Sequence, residues 1–222
     1  MAAWHVPITS WGHANATVAL PRSRWNHAAL SMQDGSGRVL LHGGCGRGAS
    51  PTAAGQGFGC DVLDDIWYHT PNRDGYAGSW ERLQLQLAPA GDAQPLVARA
   101  GHSLTLAVGV GGEQHVYIFG GYNNVSGGAD GIDQGISHAD IAASPFVKVD
   151  LQTAKAALVH TAGDQAPTAR FGHASVTMWS PIHDTQVMLL FGGASVNSAQ
   201  EMILLNDTWM YVFKAYALLS RA

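Results

Sequence analysis

Apolar and polar residues alternate in short runs along this chain, and each run stops at Gly, Pro, Asn or Asp. A two-residue period bounded by turn formers predicts short β-strands. No stretch of about 12 residues carries the 3.6-residue period of a helix. The strands recur in a fixed order. The phrase Arg24-Trp-Asn-His27 precedes an apolar strand over 28–32, a turn at 33–37 and a second strand, Arg38 to His42, that ends in Gly43-Gly44. A long Gly/Ala-rich loop over 45–60 follows. A third strand is then predicted over 61–68, with the aromatic pair Trp67-Tyr68, and a fourth over 80–83, beginning at Trp80.

The second copy opens at Arg99-Ala-Gly-His102. Its strands are predicted over 103–108 and 115–119, Gly120-Gly121 closes the hairpin, a loop spans 122–138, and further strands lie within 140–149 and at 156–160. The third opens at Arg170-Phe-Gly-His173, with strands over 174–178 and 186–191, Gly192-Gly193, a loop over 194–204, and a third strand over 205–212 holding Trp209 and Tyr211. There the pattern stops. The segment 3–8, with Trp4, reads as a lone fourth strand belonging to a unit whose other strands lie elsewhere. Four short strands per unit, repeated, are the grammar of a β-propeller.

Composition narrows the function classes. Charged residues make up 13% of the 222 residues, the net charge is −4, and Gly contributes 27 residues, a turn-rich globular composition. With no basic stripe to neutralise phosphates, nucleic acid is not expected as a partner. No apolar run approaches the ~18 residues that a membrane helix needs, so no membrane partner is expected. Cys45 and Cys60 flank the Gly/Ala-rich loop and could pair across it, but Met1-Ala-Ala-Trp-His shows no charged or apolar leader pattern, so free thiols in a reducing, cytoplasmic compartment are the expectation.

The double glycines (Gly43-Gly44, Gly120-Gly121, Gly192-Gly193), the aromatics Trp67, Tyr68, Trp209 and Tyr211, and the fourth-strand Trp80 resemble the kelch repeat. The repeats are longer than the usual kelch length of ~50 residues because of the loops after the double glycine. The resemblance covers roughly residues 3–213. It implies an all-β fold, a kelch-type β-propeller of about three four-stranded antiparallel blades. It implies one region over 1–222, with blade 1 at about 24–84, blade 2 at about 99–160, and blade 3 at about 170–213 with the N-terminal strand 3–8. Three blades do not close a ring. The expectation is therefore a partial propeller, or one completed by another chain, including a homodimer that forms a six-blade ring.

The candidate chemistry is sparse. His27, His102 and His173 hold one place in each repeat and could share a level near an axis, but residues repeated by architecture are read first as structural. Asp130, Asp133 and His138 share a loop without the regular spacing of a metal motif. Gly43-Gly-Cys-Gly-Arg-Gly48 has no helix behind it to cradle a phosphate. No catalytic residue, metal site or cofactor is therefore expected. What the kelch resemblance implies is a non-catalytic scaffold or adaptor. It would hold a protein partner through loops 45–60, 122–138 and 194–204, with Arg24, Arg99, Arg170, Tyr122 and Asn123 as candidate contacts. The alternatives are a metal-dependent enzyme or specifier-type protein on the same propeller, and a structural subunit of a larger assembly.

Overall fold

The structure, a computed structural model, describes residues 20–47, 60–72, 78–86, 98–109, 111–123, 136–142, 146–160 and 166–213. The expected N-terminal strand at 3–8 lies outside them. Among the described residues the fold is all-β, with antiparallel sheets and one short helix.

The first main sheet has four strands in the order β2 (Ala28–Ser31), β3 (Val39–His42), β6 (Ile66–Pro71) and β7 (Gly78–Leu83). Its first turn forms because Asp34 accepts a hydrogen bond from the Ser36 backbone N–H at 3.0 Å, and because Gly35 and Gly37 take positive φ. The second sheet also has four strands in order, β8 (Ser103–Val108), β9 (Gln114–Phe119), β10 (Val147–Asp150) and β11 (Lys155–Leu158). At its last turn the Asp150 carboxylate accepts bonds from the backbone N–H groups of Gln152 and Thr153, both at 2.9 Å. The third sheet has three strands, β12 (Ala174–Ser180), β13 (Thr185–Phe191) and β16 (Thr208–Val212).

The loops after the first and third double glycines are more regular than expected. β4 (Cys45–Arg47) pairs with β1 (Arg24–Trp25) on one side and β5 (Cys60–Val62) on the other. β14 (Ala194–Val196) pairs with β15 (Met202–Leu204). The second loop ends in a helix, α1 (His138–Ala142), where the sequence showed no helical period. Five residues are too few to leave one, and the helix is set by a local cap. Ser137 donates to the Asp140 carboxylate from its N–H at 2.9 Å and from its hydroxyl at 2.6 Å.

The cysteines correct the sequence reading. Cys45 and Cys60 are joined in a disulfide across a Cα–Cα distance of 5.2 Å, and are not free thiols. The physical reason is register: Cys45 faces Val62 and Arg47 faces Cys60, so the two cysteines are diagonal neighbours on one ribbon. Their places at the two ends of one loop allowed the pairing without deciding it.

The sheets pack in series, with β8 against β2 on one side and β12 on the other. Leu40 and Tyr68 of the first sheet, with Met32 after β2, bury against Leu104, Leu106, Val116, Ile118, Val147 and Val149 of the second. Each such aliphatic side chain contributes about 1.5–3 kcal/mol when fully buried. Tyr117 and Ala107, on the opposite face of the second sheet, meet Met188 and Tyr211 of the third. The same main-chain stitch fastens both junctions. Gly44 N–H donates to the Arg99 carbonyl at 2.9 Å, and Gly121 N–H to the Arg170 carbonyl at 2.8 Å. In the reverse direction, Gly101 N–H donates to Asn26 at 2.9 Å and Gly172 N–H to Gly101 at 2.8 Å. A Cβ at Gly43 would lie 2.5 Å from the Arg99 carbonyl oxygen, so a residue without a side chain is required there.

Candidate functional site

The three repeated arginines are held inside their own units. Arg24 donates from both Nη atoms to the two carboxylate oxygens of Asp65, at 2.5 and 2.9 Å, and from Nη1 to the Gly43 carbonyl at 3.0 Å. Arg170 repeats this with Asp207 at 2.6 and 2.8 Å and with the Gly192 carbonyl at 3.0 Å. Both carboxylates also accept a bond from an indole, Trp67 on Asp65 and Trp209 on Asp207, each at 2.6 Å. Burial pushes the Asp65 carboxyl up, but the bonds from Arg24 and Trp67 outweigh it and leave the carboxyl below its ordinary value. The bonds from Arg170 and Trp209 hold Asp207 well below the usual carboxylate range. Arg99 is wholly buried and donates to the Gly120 carbonyl at 3.4 Å, and burial lowers its pKa to about 10.

Tyr122 is also interior. Its hydroxyl accepts from Asn26 Nδ2 at 3.0 Å, and its ring meets Phe171 edge-on at 5.7 Å between centroids. Asn123 is half-buried, its backbone N–H bonded to the Asp140 carbonyl at 3.2 Å. The structure therefore brings none of the five candidate contacts to a shared exposed surface. Each lies at or beside a junction between units.

The histidines are placed in the same way. His102 Nε2 lies 2.9 Å from His42 Nδ1, and His173 Nε2 lies 2.8 Å from the Ser103 hydroxyl. His102 and His173 thus take partners within the chain, and His27 is exposed. Burial holds the imidazoles neutral: His42 falls to about 3, with Arg99 adding repulsion, His173 to about 4, and His102 well below its ordinary value. Among the described residues no group of three or more His, Cys, Asp or Glu could hold a metal ion. The loop with Asp130 and Asp133 lies outside them.

The feature that sequence reasoning missed is apolar. On β12, β13 and β16, Val176, Met178, Phe191 and Met210 are exposed on the face turned away from the second sheet. On β15, in the separate two-stranded ribbon, Met202 is 65% and Leu204 80% exposed. Val176 and Met178 hold the places of Leu30 and Met32 in the first repeat, which the second sheet covers. The signal was in the sequence, but nothing there says which sheet is left bare. Among the described residues no helix is long and apolar enough to cross a membrane.

No family model matches this chain, and no curated protein does. Among solved structures it is similar to that of YjhT, at 16% identity and a TM-score of 0.46, over 82% of this chain and 52% of that one. It is also similar to a chain in the cryo-EM structure of RAG in complex with one melted RSS and one unmelted RSS, at 15% identity and a TM-score of 0.48, over 88% of this chain and 52% of that one. The chain thus spans about half the length of either.

Proposed function

We propose that this chain is part of a kelch-type β-propeller and serves as a non-catalytic protein–protein interaction module, a scaffold or adaptor. One observation carries the reading. The recurrent polar groups, Arg24, Arg99, Arg170, His102 and His173, are bonded inside the fold, whereas the third sheet and the β14–β15 ribbon turn Val176, Met178, Phe191, Met202, Leu204 and Met210 to solvent. Exposed apolar side chains grouped on one sheet face, as Val176, Met178, Phe191 and Met210 are, mark a surface that binds protein. The ribbon lies in the expected partner segment 194–204. The cytoplasmic expectation rested on the missing leader pattern, and the Cys45–Cys60 bond supports an oxidising compartment in its place.

The test is affinity capture with the intact chain beside Leu204→Asp and Met210→Asp variants, with elemental analysis of the same samples. The reading expects a stoichiometric bound protein that both variants lose. Equal capture by all three, or a stoichiometric metal ion in place of a bound protein, overturns it.

A further inference from the structure

Each junction between units is built from two complementary surfaces. The donor surface is the double glycine of one unit with the residues that follow it, a ribbon in the first and third units and Tyr122 in the second. The acceptor surface is the Arg-x-x-His opening of the next. In the first junction, Ala100 of the acceptor packs into a cluster with Cys45 and Val62 of the donor ribbon, and Arg99 N–H donates to the Leu63 carbonyl at 3.1 Å. In the second, Phe171 packs on Tyr122. A Cβ placed on Gly43 would meet the Arg99 carbonyl and the His102 ring, and one on Gly120 would meet the Arg170 carbonyl and the His173 ring.

The third unit has a complete donor surface with its seat open. Gly192 and Gly193 take φ of 63° and 93°, matching 61° and 97° at Gly43 and Gly44. Among the described residues, a Cβ on Gly192 would meet only the Leu205 carbonyl, at 3.2 Å, and no arginine carbonyl or imidazole. Among the described residues, no carbonyl accepts from the Gly193 N–H. Leu204, at the position of Val62, is 80% exposed.

The first unit has a complete acceptor surface that no described residue covers. Trp25, at the position of Ala100 and Phe171, is 43% exposed, and His27 is exposed. Asn26 has a φ of 51°, close to the 66° and 64° of Gly101 and Gly172 at the same position. Asparagine tolerates the left-handed region better than most residues, so this opening already holds the conformation that the other two hold when docked. Ala29 and Ser31 are exposed where Ser175 and Thr177 bond to the sheet before them, Ser175 to the Thr105 hydroxyl at 2.6 Å and Thr177 to the Leu106 carbonyl at 2.5 Å.

From this pair of matched, uncovered surfaces we infer that the occupant of the third sheet's bare face is the first unit of a second copy of this chain, docked head to tail. The inference rests on the interaction reading and names its partner. In the contact, Gly193 N–H donates to the Arg24 carbonyl of the second copy, Asn26 N–H of that copy donates to the Gly172 carbonyl, its Trp25 covers Leu204, and its His27 lies over Gly192. The surface is heterologous, so the pair either closes through two such contacts or continues as a linear array.

Native mass spectrometry and sedimentation velocity of the full chain, at micromolar concentration with the disulfide intact, test this. The wild type is expected to self-associate. Trp25→Ala and Leu204→Asp change exposed side chains at opposite ends, and each alone is expected to weaken association at least about tenfold, the effect of losing an interface anchor. Mixing the two variants restores one wild-type contact, so a one-to-one heterodimer is expected from two proteins that are each monomeric. Far-UV circular dichroism confirms that both are folded. Self-association that survives either variant, or a mixture that stays monomeric, overturns the inference. A monomeric wild type that binds a different protein through Leu204 also overturns it but leaves the interaction reading intact. A monomer that captures nothing overturns both.

Discussion

Replacing Asp65 by asparagine tests whether the recurrent arginines are internal struts or partner contacts. The Arg24 side chain is 3% exposed and that of Asp65 is 13% exposed. The substitution removes the negative charge that two guanidinium bonds reach and leaves Arg24 with the carbonyls of Arg22 and Gly43. Removing one member of a buried pair costs about 3–5 kcal/mol, because the other charge stays desolvated. The slight exposure of Asp65 places this case near ~3 kcal/mol. Arg24→Met should cost less, since the carboxylate it abandons keeps the Trp67 indole. Arg24→Met with Asp65→Asn should cost less than the two single changes added together, with a coupling of about 2 kcal/mol. Urea unfolding followed by tryptophan fluorescence at pH 7 measures all four corners of the cycle. The sign with pH is fixed. The Asp65 carboxyl sits below its ordinary 3.8 when folded, so its contribution is present above that value and is lost as pH falls through the folded one. The deficit of Asp65→Asn should therefore shrink in acid. Additive single changes, or a cost for Asp65→Asn below about 1 kcal/mol, would refute the argument.

Three further outcomes follow from the same geometry. Gly120→Ala should cost about 2–3 kcal/mol more than Gly35→Ala, because both residues have positive φ but only at Gly120 would the methyl strike the next unit's Arg170 carbonyl; equal urea midpoints would count against it. Cys60→Ser should lower stability by about 3 kcal/mol, the value for closing a loop of this separation, and reductant should do the same to the wild type while leaving the variant unchanged. His42, His102 and His173 are neutral when folded and take up protons when unfolded, so stability should fall as pH drops from 6.5 toward about 4, by up to ~1.4 kcal/mol per pH unit for each; a flat profile over that window would contradict neutral burial.

The hairpins were legible because their signals are local. Alternation over 103–108 and 115–119, with Gly109 to Gln114 between them, places β8 and β9 to within a residue or so. The ribbon strands were not, because Cys45–Arg47 and Cys60–Val62 are three residues each and are strands only by virtue of pairing, with each other and, for Cys45–Arg47, with Arg24–Trp25. The disulfide follows from that register, which the sequence left open between pairing across the loop and free thiols. The arginines were singled out rightly as recurrent, but their role lay in a second recurrence. Asp65 stands two residues before Trp67, and Asp207 two before Trp209, at the distance that lets one carboxylate bind indole and guanidinium together. In the second repeat the corresponding position, two before Val147, is Pro145, so the phrase is broken there and recurs in only two of the three copies. The bare face could not be read from the chain at all. Val176 and Met178 follow the same alternation as Leu30 and Met32, and only the arrangement of the sheets leaves one pair covered and the other exposed.

The stitch between units is made wholly of main-chain groups. Side chains at its margin are therefore free to drift: the residue after the arginine is Trp25, Ala100 or Phe171, and the one after that is Asn26, Gly101 or Gly172. What cannot drift is the absence of a Cβ. At Gly44 it would lie 2.8 Å from the Trp25 carbonyl, and at Gly121 2.7 Å from that of Ala100. A saturation map of this chain would show narrow notches of intolerance at the double glycines, set in strands that accept most apolar exchanges. Copies that look unrelated letter by letter could still lock together.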